Sequence, residues 1–130
     1  MIRAAGHDTP YQATFTNGVR TAVADAPAAK GAAGRGSART SCSKRRLATC
    51  LTMTAQMTAA AHGIPLTGVR SEVRLDRTVP GEPVLHYALE FDGPLSADQV
   101  ARLRAAAADC PVGRTLTGRV TVRPAAPAPA

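Results

Sequence analysis

Three cysteines are the residues of this 130-residue chain whose type and spacing bear on chemistry. Cys50, within Leu47-Ala48-Thr49-Cys50-Leu51-Thr52-Met53-Thr54, and Cys110, within Ala108-Asp109-Cys110-Pro111-Val112, lie sixty residues apart. Neither has the neighbour spacing of a metal knuckle. A thiolate that attacks an oxidant becomes a sulfenic acid, and a second thiol resolves that acid, so the pair points to thiol redox chemistry. A buried cysteine is also simply a small apolar side chain. Cys42 stands in a cation-rich stretch and reads as an incidental, exposed thiol.

The elements around the two sulfurs follow from local pattern. Tyr11-Gln12-Ala13-Thr14-Phe15-Thr16, Asn17-Gly18 and Val19-Arg20-Thr21-Ala22-Val23-Ala24 predict a β-hairpin. Asp25 to Gly36 is rich in Pro, Ala and Gly and predicts a loop. A helix is expected to start between Thr40 and Lys44, with an apolar stripe of Leu47, Cys50, Thr54, Met57 and Ala61 and with Leu51 and Thr58 beside it. Gly63 is its left-handed stop and Pro65 lies just beyond. Cys50 then faces the apolar side about two turns in, where the helix dipole acts weakly on its thiol.

Val69, Ser71, Val73 and Leu75 alternate with charged residues, and Leu85, Tyr87, Leu89 and Phe91 alternate with His86, Ala88 and Glu90. Two half-buried antiparallel strands joined through Thr78 to Glu82 are predicted. Ser96 and Gln99 form a capping box, with Leu95 and Val100 as its hydrophobic staple, and Val100, Leu103, Ala107 and Cys110 form the stripe of a second helix. Pro111 is expected to end that helix with Cys110 in its last turn. A last strand is expected over Leu116 to Val122. The order gives an α+β fold: an antiparallel sheet with a long central helix and a second helix on one side, one domain over residues 1–123, and a disordered Pro/Ala tail over 124–130.

Composition narrows the partners. With no Trp, two Tyr and two Phe, the core rests on Ala, Val and Leu, and burial through a homodimer interface is the natural supplement. No apolar run approaches a membrane span or a secretory signal, which points to the cytoplasm, where thiols stay reduced unless a pair cycles. The net charge of +7 is concentrated: Arg35, Arg39, Lys44, Arg45 and Arg46 carry five of the sixteen cations, leaving about +2 elsewhere. Without interleaved aromatics or a recognition motif, nucleic-acid binding is not expected. His7, His62 and His86 lack metal-ligand spacing, so neither metal nor cofactor is expected. Met53 and Met57 are read as core residues that also offer themselves to a substrate pocket. Gly34-Arg35-Gly36 lacks the strand and helix that flank a phosphate loop.

This layout resembles the OsmC/Ohr family of osmotically induced and organic-hydroperoxide-resistance proteins, most closely its small OsmC-like branch. The resemblance rests on Ala48 to Thr54, on His62-Gly63-Ile64-Pro65-Leu66 with a strand from Val69, on Asp109-Cys110-Pro111-Val112, and on the Gly18 hairpin with Asp25-Ala26-Pro27. It implies an intertwined homodimer and a thiol peroxidase of organic hydroperoxides. Cys50 would be peroxidatic, Cys110 would resolve it through a disulfide, and an external dithiol would reduce the pair. The alternative is a non-catalytic stress protein or small apolar ligand-binding domain of the same fold.

One segment departs from the family pattern. Before the peroxidatic cysteine the family reads roughly Gly-x-x-Pro-x-Glu-Leu-Leu-x-Ala-Ala, with an acid that orients a catalytic arginine. Here residues 36 to 46 read Gly-Ser-Ala-Arg-Thr-Ser-Cys-Ser-Lys-Arg-Arg, without a carboxylate. Back-translated with GC-rich codons, Ala38 to Arg46 reads Ala-His-Glu-Leu-Leu-Glu-Ala-Ala in a shifted frame. The stretch reads either as a frame-shifted segment or as a generic basic surface loop, and the gene sequence decides through the presence or absence of a compensating pair of insertions or deletions around it. Arg3 and Arg20 lie where the family places its arginine, but no motif fixes either.

Overall fold

The computed structural model describes residues 1–6, 9–26, 37–38 and 41–125, and the chain forms two compact units, Met1–Arg45 and Arg46–Ala130. In the first, a four-stranded sheet runs in the order β1 (Arg3–Gly6), β2 (Ala13–Thr16), β3 (Thr21–Asp25), β4 (Ser37–Ala38). β2 and β3 are the predicted hairpin, in register Thr16↔Thr21 and Ala13↔Ala24. Its loop is held by the Asn17 side-chain oxygen, which accepts the Val19 and Arg20 amides at 3.0 and 2.8 Å, while Gly18 takes φ 93°. That angle favours glycine because a Cβ meets the backbone there. β1 joins antiparallel to β2, although Arg-Ala-Ala-Gly carries no strand pattern; β4 joins parallel to β3. The exposed edge of the hairpin, rather than β1's own propensity, makes β1 a strand. Most of the expected 25–36 loop, Gly34-Arg35-Gly36, His7 and residues 126–130 of the tail lie outside the described residues.

The second unit is built on α1 (Cys42–His62), which begins within the expected window. Its buried row is Leu47, Leu51, Ala55 and Ala59, an i, i+4 series, whereas Met57 and Ala61 are exposed. This corrects the expected stripe. Alanines let a helix approach its neighbours closely, and that close approach has outweighed the greater hydrophobicity of methionine. Gly63 stops the helix at φ 60°, and the Ile64 amide donates back to the Ala59 carbonyl at 2.9 Å, closing a Schellman turn.

β5 (Gly68–Asp76) and β6 (Val84–Asp92) pair antiparallel with Val69 opposite Phe91 and Leu75 opposite Leu85. The alternation holds: Val69, Ser71, Val73 and Leu75 are half-buried, and Arg70 on the other face pairs with Glu90 and Asp92. α2 (Ala97–Ala108) starts from the predicted capping box, Gln99 N–H to Ser96 Oγ at 3.2 Å and Ser96 N–H to Gln99 Oε1 at 2.9 Å.

Two expectations fail at its end. Pro111 does not terminate α2; it is the first residue of α3 (Pro111–Thr117), and Cys110 is the cap between the helices rather than the last turn of α2. The expected strand over Leu116 to Val122 is absent: Leu116 lies in α3 and residues 118–125 form no regular element. Proline's fixed φ suits the first helical turn, where no amide is needed, so the Cys-Pro start overrides the short apolar alternation downstream. The core has two clusters: Leu47, Leu51, Leu89, Ala107 and Cys110, and then Ala59, Ile64 and Leu103. Leu51 and Leu103 are the largest fully buried apolar side chains, each stabilising by about 2–3 kcal/mol. The fold is α+β, as expected, with strands that pair antiparallel except at β4 and with three helices among the described residues.

Candidate active site

Cys50 stands on α1 at the edge of the buried row and is half-buried; Cys110 is fully buried between α2 and α3. Both are free thiols, and Cys50 packs against the apolar cluster that contains Cys110. Two residues sixty positions apart are thus brought together because Leu47 and Leu51 of α1 pack in one cluster with Ala107 of α2 and with Cys110 itself.

Local chemistry fixes the Cys110 sulfur. The residue has extended backbone (φ −65°, ψ 150°), and its Sγ accepts the Gly113 amide at 3.3 Å as the cap of α3. Gly113 allows this approach: a Cβ there would stand 3.2 Å from the sulfur. Burial raises the Cys110 pKa most; the Gly113 amide pulls it down, and the Cys50 sulfur raises it again. The net direction is upward, so Cys110 keeps its proton to higher pH than a free thiol.

Cys110 also forms part of the wall of a cavity of about 320 Å³, with Leu47, Leu51, Leu85, Tyr87 and Leu116 among its other lining residues. Val84, Tyr87 and Leu116 remain 48%, 46% and 42% exposed and form its rim. An apolar cavity of this size suits a small organic molecule; of the two sulfur residues Cys110 is in its wall and Cys50 is not. Met53 and Met57 are on the exposed side of α1, at 58% and 69%, and outside that wall, so they are not core residues within this chain.

Elsewhere, Arg102 donates to His62 Nδ1 at 3.1 Å and His86 lies 3.9 Å from Asp76. Among the described residues no three His, Cys, Asp or Glu side chains gather as a metal site, and no helix is long and apolar enough to cross a membrane. α1 has no acid in its first turn. Sequence reasoning missed Ser71, Tyr87, Gly113 and Leu116. For Ser71 a signal was present: it is the single polar residue at an inward position of β5.

Comparisons with known proteins bear on the fold and the family. A family model for OsmC-like protein matches residues 46–124. Among solved structures, an OsmC-like protein from Mycoplasma pneumoniae is 23% identical with TM-score 0.74, covering 91% of this chain and 86% of that one. An organic hydroperoxide resistance protein, OhrB of Bacillus subtilis, is 20% identical with TM-score 0.60, covering 91% and 90%. The organic hydroperoxide resistance protein OsmC of Legionella pneumophila is 23% identical with TM-score 0.61, covering 91% and 88%. No curated protein matches the sequence. With its thiol pair on the matched segment and its fold shared with these structures, the chain belongs to the OsmC-like protein family.

Proposed function

We propose that this chain is a thiol peroxidase that reduces organic hydroperoxides, with Cys50 attacking and Cys110 resolving. The observation that supports this reading is that two free thiols from different elements meet at one apolar cluster, with Cys110 also lining an apolar cavity. The Cys50 thiolate attacks the outer peroxide oxygen; the O–O bond breaks, the alkoxide takes a proton and leaves as alcohol, and Cys50 becomes a sulfenic acid. Cys110 sulfur then attacks the Cys50 sulfur. The S–O bond breaks, hydroxide leaves with the Cys110 proton as water, and a disulfide forms. An external dithiol reduces that disulfide and is itself oxidised. No metal or cofactor enters these steps.

A single domain over residues 1–123 is supported by neighbours that cover about nine-tenths of the chain. A homodimer is supported by the exposed apolar side chains of α1, Met53 and Met57, and those methionines would then line a substrate pocket completed by the partner. The cycle suits a reducing, cytoplasmic setting, in which a dithiol is available.

Titration of the reduced protein with cumene hydroperoxide tests the reading. One Cys50–Cys110 disulfide per chain is expected, with Cys50→Ser abolishing turnover. A second reading, a non-catalytic apolar ligand-binding domain, is favoured by the acid-free first turn of α1. It predicts binding of the hydroperoxide without disulfide formation.

A further inference from the structure

We infer that Ser71 is a positioning residue for the sulfur pair: its hydroxyl sets the roll of α1 on the β5–β6 sheet and so the approach of Cys50 to Cys110. The inference rests on the peroxidase reading above. Ser71 is half-buried on the inward face of β5, where its neighbours in the alternation are Val69 and Val73. Its Oγ–H donates to the Ala48 carbonyl at 3.0 Å, which leaves the oxygen to accept the Thr52 hydroxyl at 2.8 Å. One strand residue therefore grips two successive turns of the helix.

The grip is on the side of the helix away from the sulfur. At 3.6 residues per turn, Ala48 and Thr52 each lie about 160° around the axis from Cys50. The buried row Leu47, Leu51, Ala55, Ala59 lies between these two edges. Apolar packing is non-directional, and a row ending in two alanines offers little resistance to rotation about the helix axis. The paired hydrogen bonds of Ser71 are directional and do resist it. A side-chain sulfur sits about 6 Å from the axis, so a roll of about 10° moves it by about 1 Å. Such a shift matters for attack of one sulfur on another, which needs the atoms near 3–3.5 Å and in line.

The step most sensitive to this placement is resolution. Attack on a diffusing hydroperoxide needs only an accessible Cys50 thiolate, whereas disulfide formation needs both protein sulfurs in register. When resolution slows, a second hydroperoxide oxidises the Cys50 sulfenic acid to sulfinic acid and is itself reduced to alcohol.

The experiment measures, by intact mass after single- and ten-equivalent additions of cumene hydroperoxide, how the Cys50 sulfenic acid divides between disulfide and sulfinic acid. Ser71→Ala should shift that ratio toward sulfinic acid by about tenfold while the rate of the first oxidation stays within twofold of wild type. Ser71→Thr, which keeps the hydroxyl, should restore the wild-type ratio, and Thr52→Val, which removes one of the two bonds, should fall between. Leu103→Val, matched for loss of thermal stability in a cluster remote from the sulfurs, should leave the ratio unchanged. A shift under threefold in Ser71→Ala, or an equal shift in Leu103→Val, overturns the inference. If wild type itself forms no disulfide, the peroxidase reading has failed and not this one alone.

Discussion

Gly93 is the position where the backbone tolerates least change, and its substitution by alanine gives a prediction with a worked magnitude. Gly93 follows β6 at φ 128°, and a Cβ there would lie 2.4 Å from the Pro65 carbonyl oxygen and 3.2 Å from the Thr67 nitrogen. The angle alone costs an L-residue about 1–2 kcal/mol. The overlap adds to it, because the two loops must separate to restore ordinary contact. Ordinary contact begins at 3.4 Å, so the full movement is about 1 Å, and it stretches the Thr67 N–H to Asp92 C=O bond, now 2.9 Å, beyond hydrogen-bonding length, at a further cost of about 1 kcal/mol. Together G93A should destabilise by about 3–4 kcal/mol, a fall in Tm of about 12–16 °C for a chain of this length. Gly81 is the internal comparison: φ 82°, but no atom within 4 Å of its Cβ position, so G81A bears only the conformational cost of about 1 kcal/mol. Urea unfolding of the reduced proteins, with m-values checked for constancy, measures both. If G93A comes within 1 kcal/mol of G81A, the joint between the α1–β5 and β6–α2 loops is not rigid and the reasoning is wrong.

Two further outcomes follow from the site. The raised Cys110 pKa means that above the ordinary thiol range near pH 9 the unfolded chain releases this proton before the folded chain does. Stability of the reduced protein should therefore be fully present below that range and decline as pH rises through the folded pKa; Cys110→Ser should flatten this decline, and an unaltered slope would contradict the assignment of burial as the cause. Leu116→Ala removes an apolar wall worth about 1 kcal/mol to a ligand at this half-exposed position, so KM for cumene hydroperoxide should rise about fivefold with kcat unchanged, while hydrogen peroxide turnover stays the same. Equal losses for both peroxides would show that the cavity is not where the organic group sits.

Elements specified by adjacent residues were legible in the sequence. The Asn17-Gly18 hairpin, the Ser96–Gln99 capping box, the Gly63 stop and the alternation of β5 and β6 each rest on contacts within a few residues, and each stands where the pattern placed it. β1 was not legible, because its pairing comes from the hairpin edge and not from its own residues. The roll of α1 was misread because hydrophobicity ranks Met57 above Ala55 and Ala59, whereas close helix packing selects the alanines. The alternation of Leu116, Val120 and Val122 resembles a strand, yet the Cys110 cap and Pro111 start a helix first. As for the site, residue type and position singled out the two cysteines, and the resemblance supplied their expected roles. The cavity was hidden, since its wall joins Leu47, Tyr87 and Leu116 from three distant segments.

The altered segment before Cys50 has a sharper meaning against this geometry. α1 opens with Lys44, Arg45 and Arg46 and no acid in its first turn, an arrangement opposed by the helix dipole. The apolar row that offsets this begins only at Leu47. The side chains of the thiol cluster and of the cavity wall, from Leu47 to Thr117, therefore lie downstream of residues 36 to 46. None of the described residues 41 to 46 lines the cavity or joins the cluster around the cysteines. The stretch holds no carboxylate. The two halves of the proposed cycle thus depend on different parts of the chain: disulfide formation on the α1, α2 and α3 packing, and peroxide activation on the altered turn. A generic thiol oxidant should close the Cys50–Cys110 disulfide at an ordinary rate even where hydroperoxide attack is slow, and that contrast separates loss of activation from loss of the site.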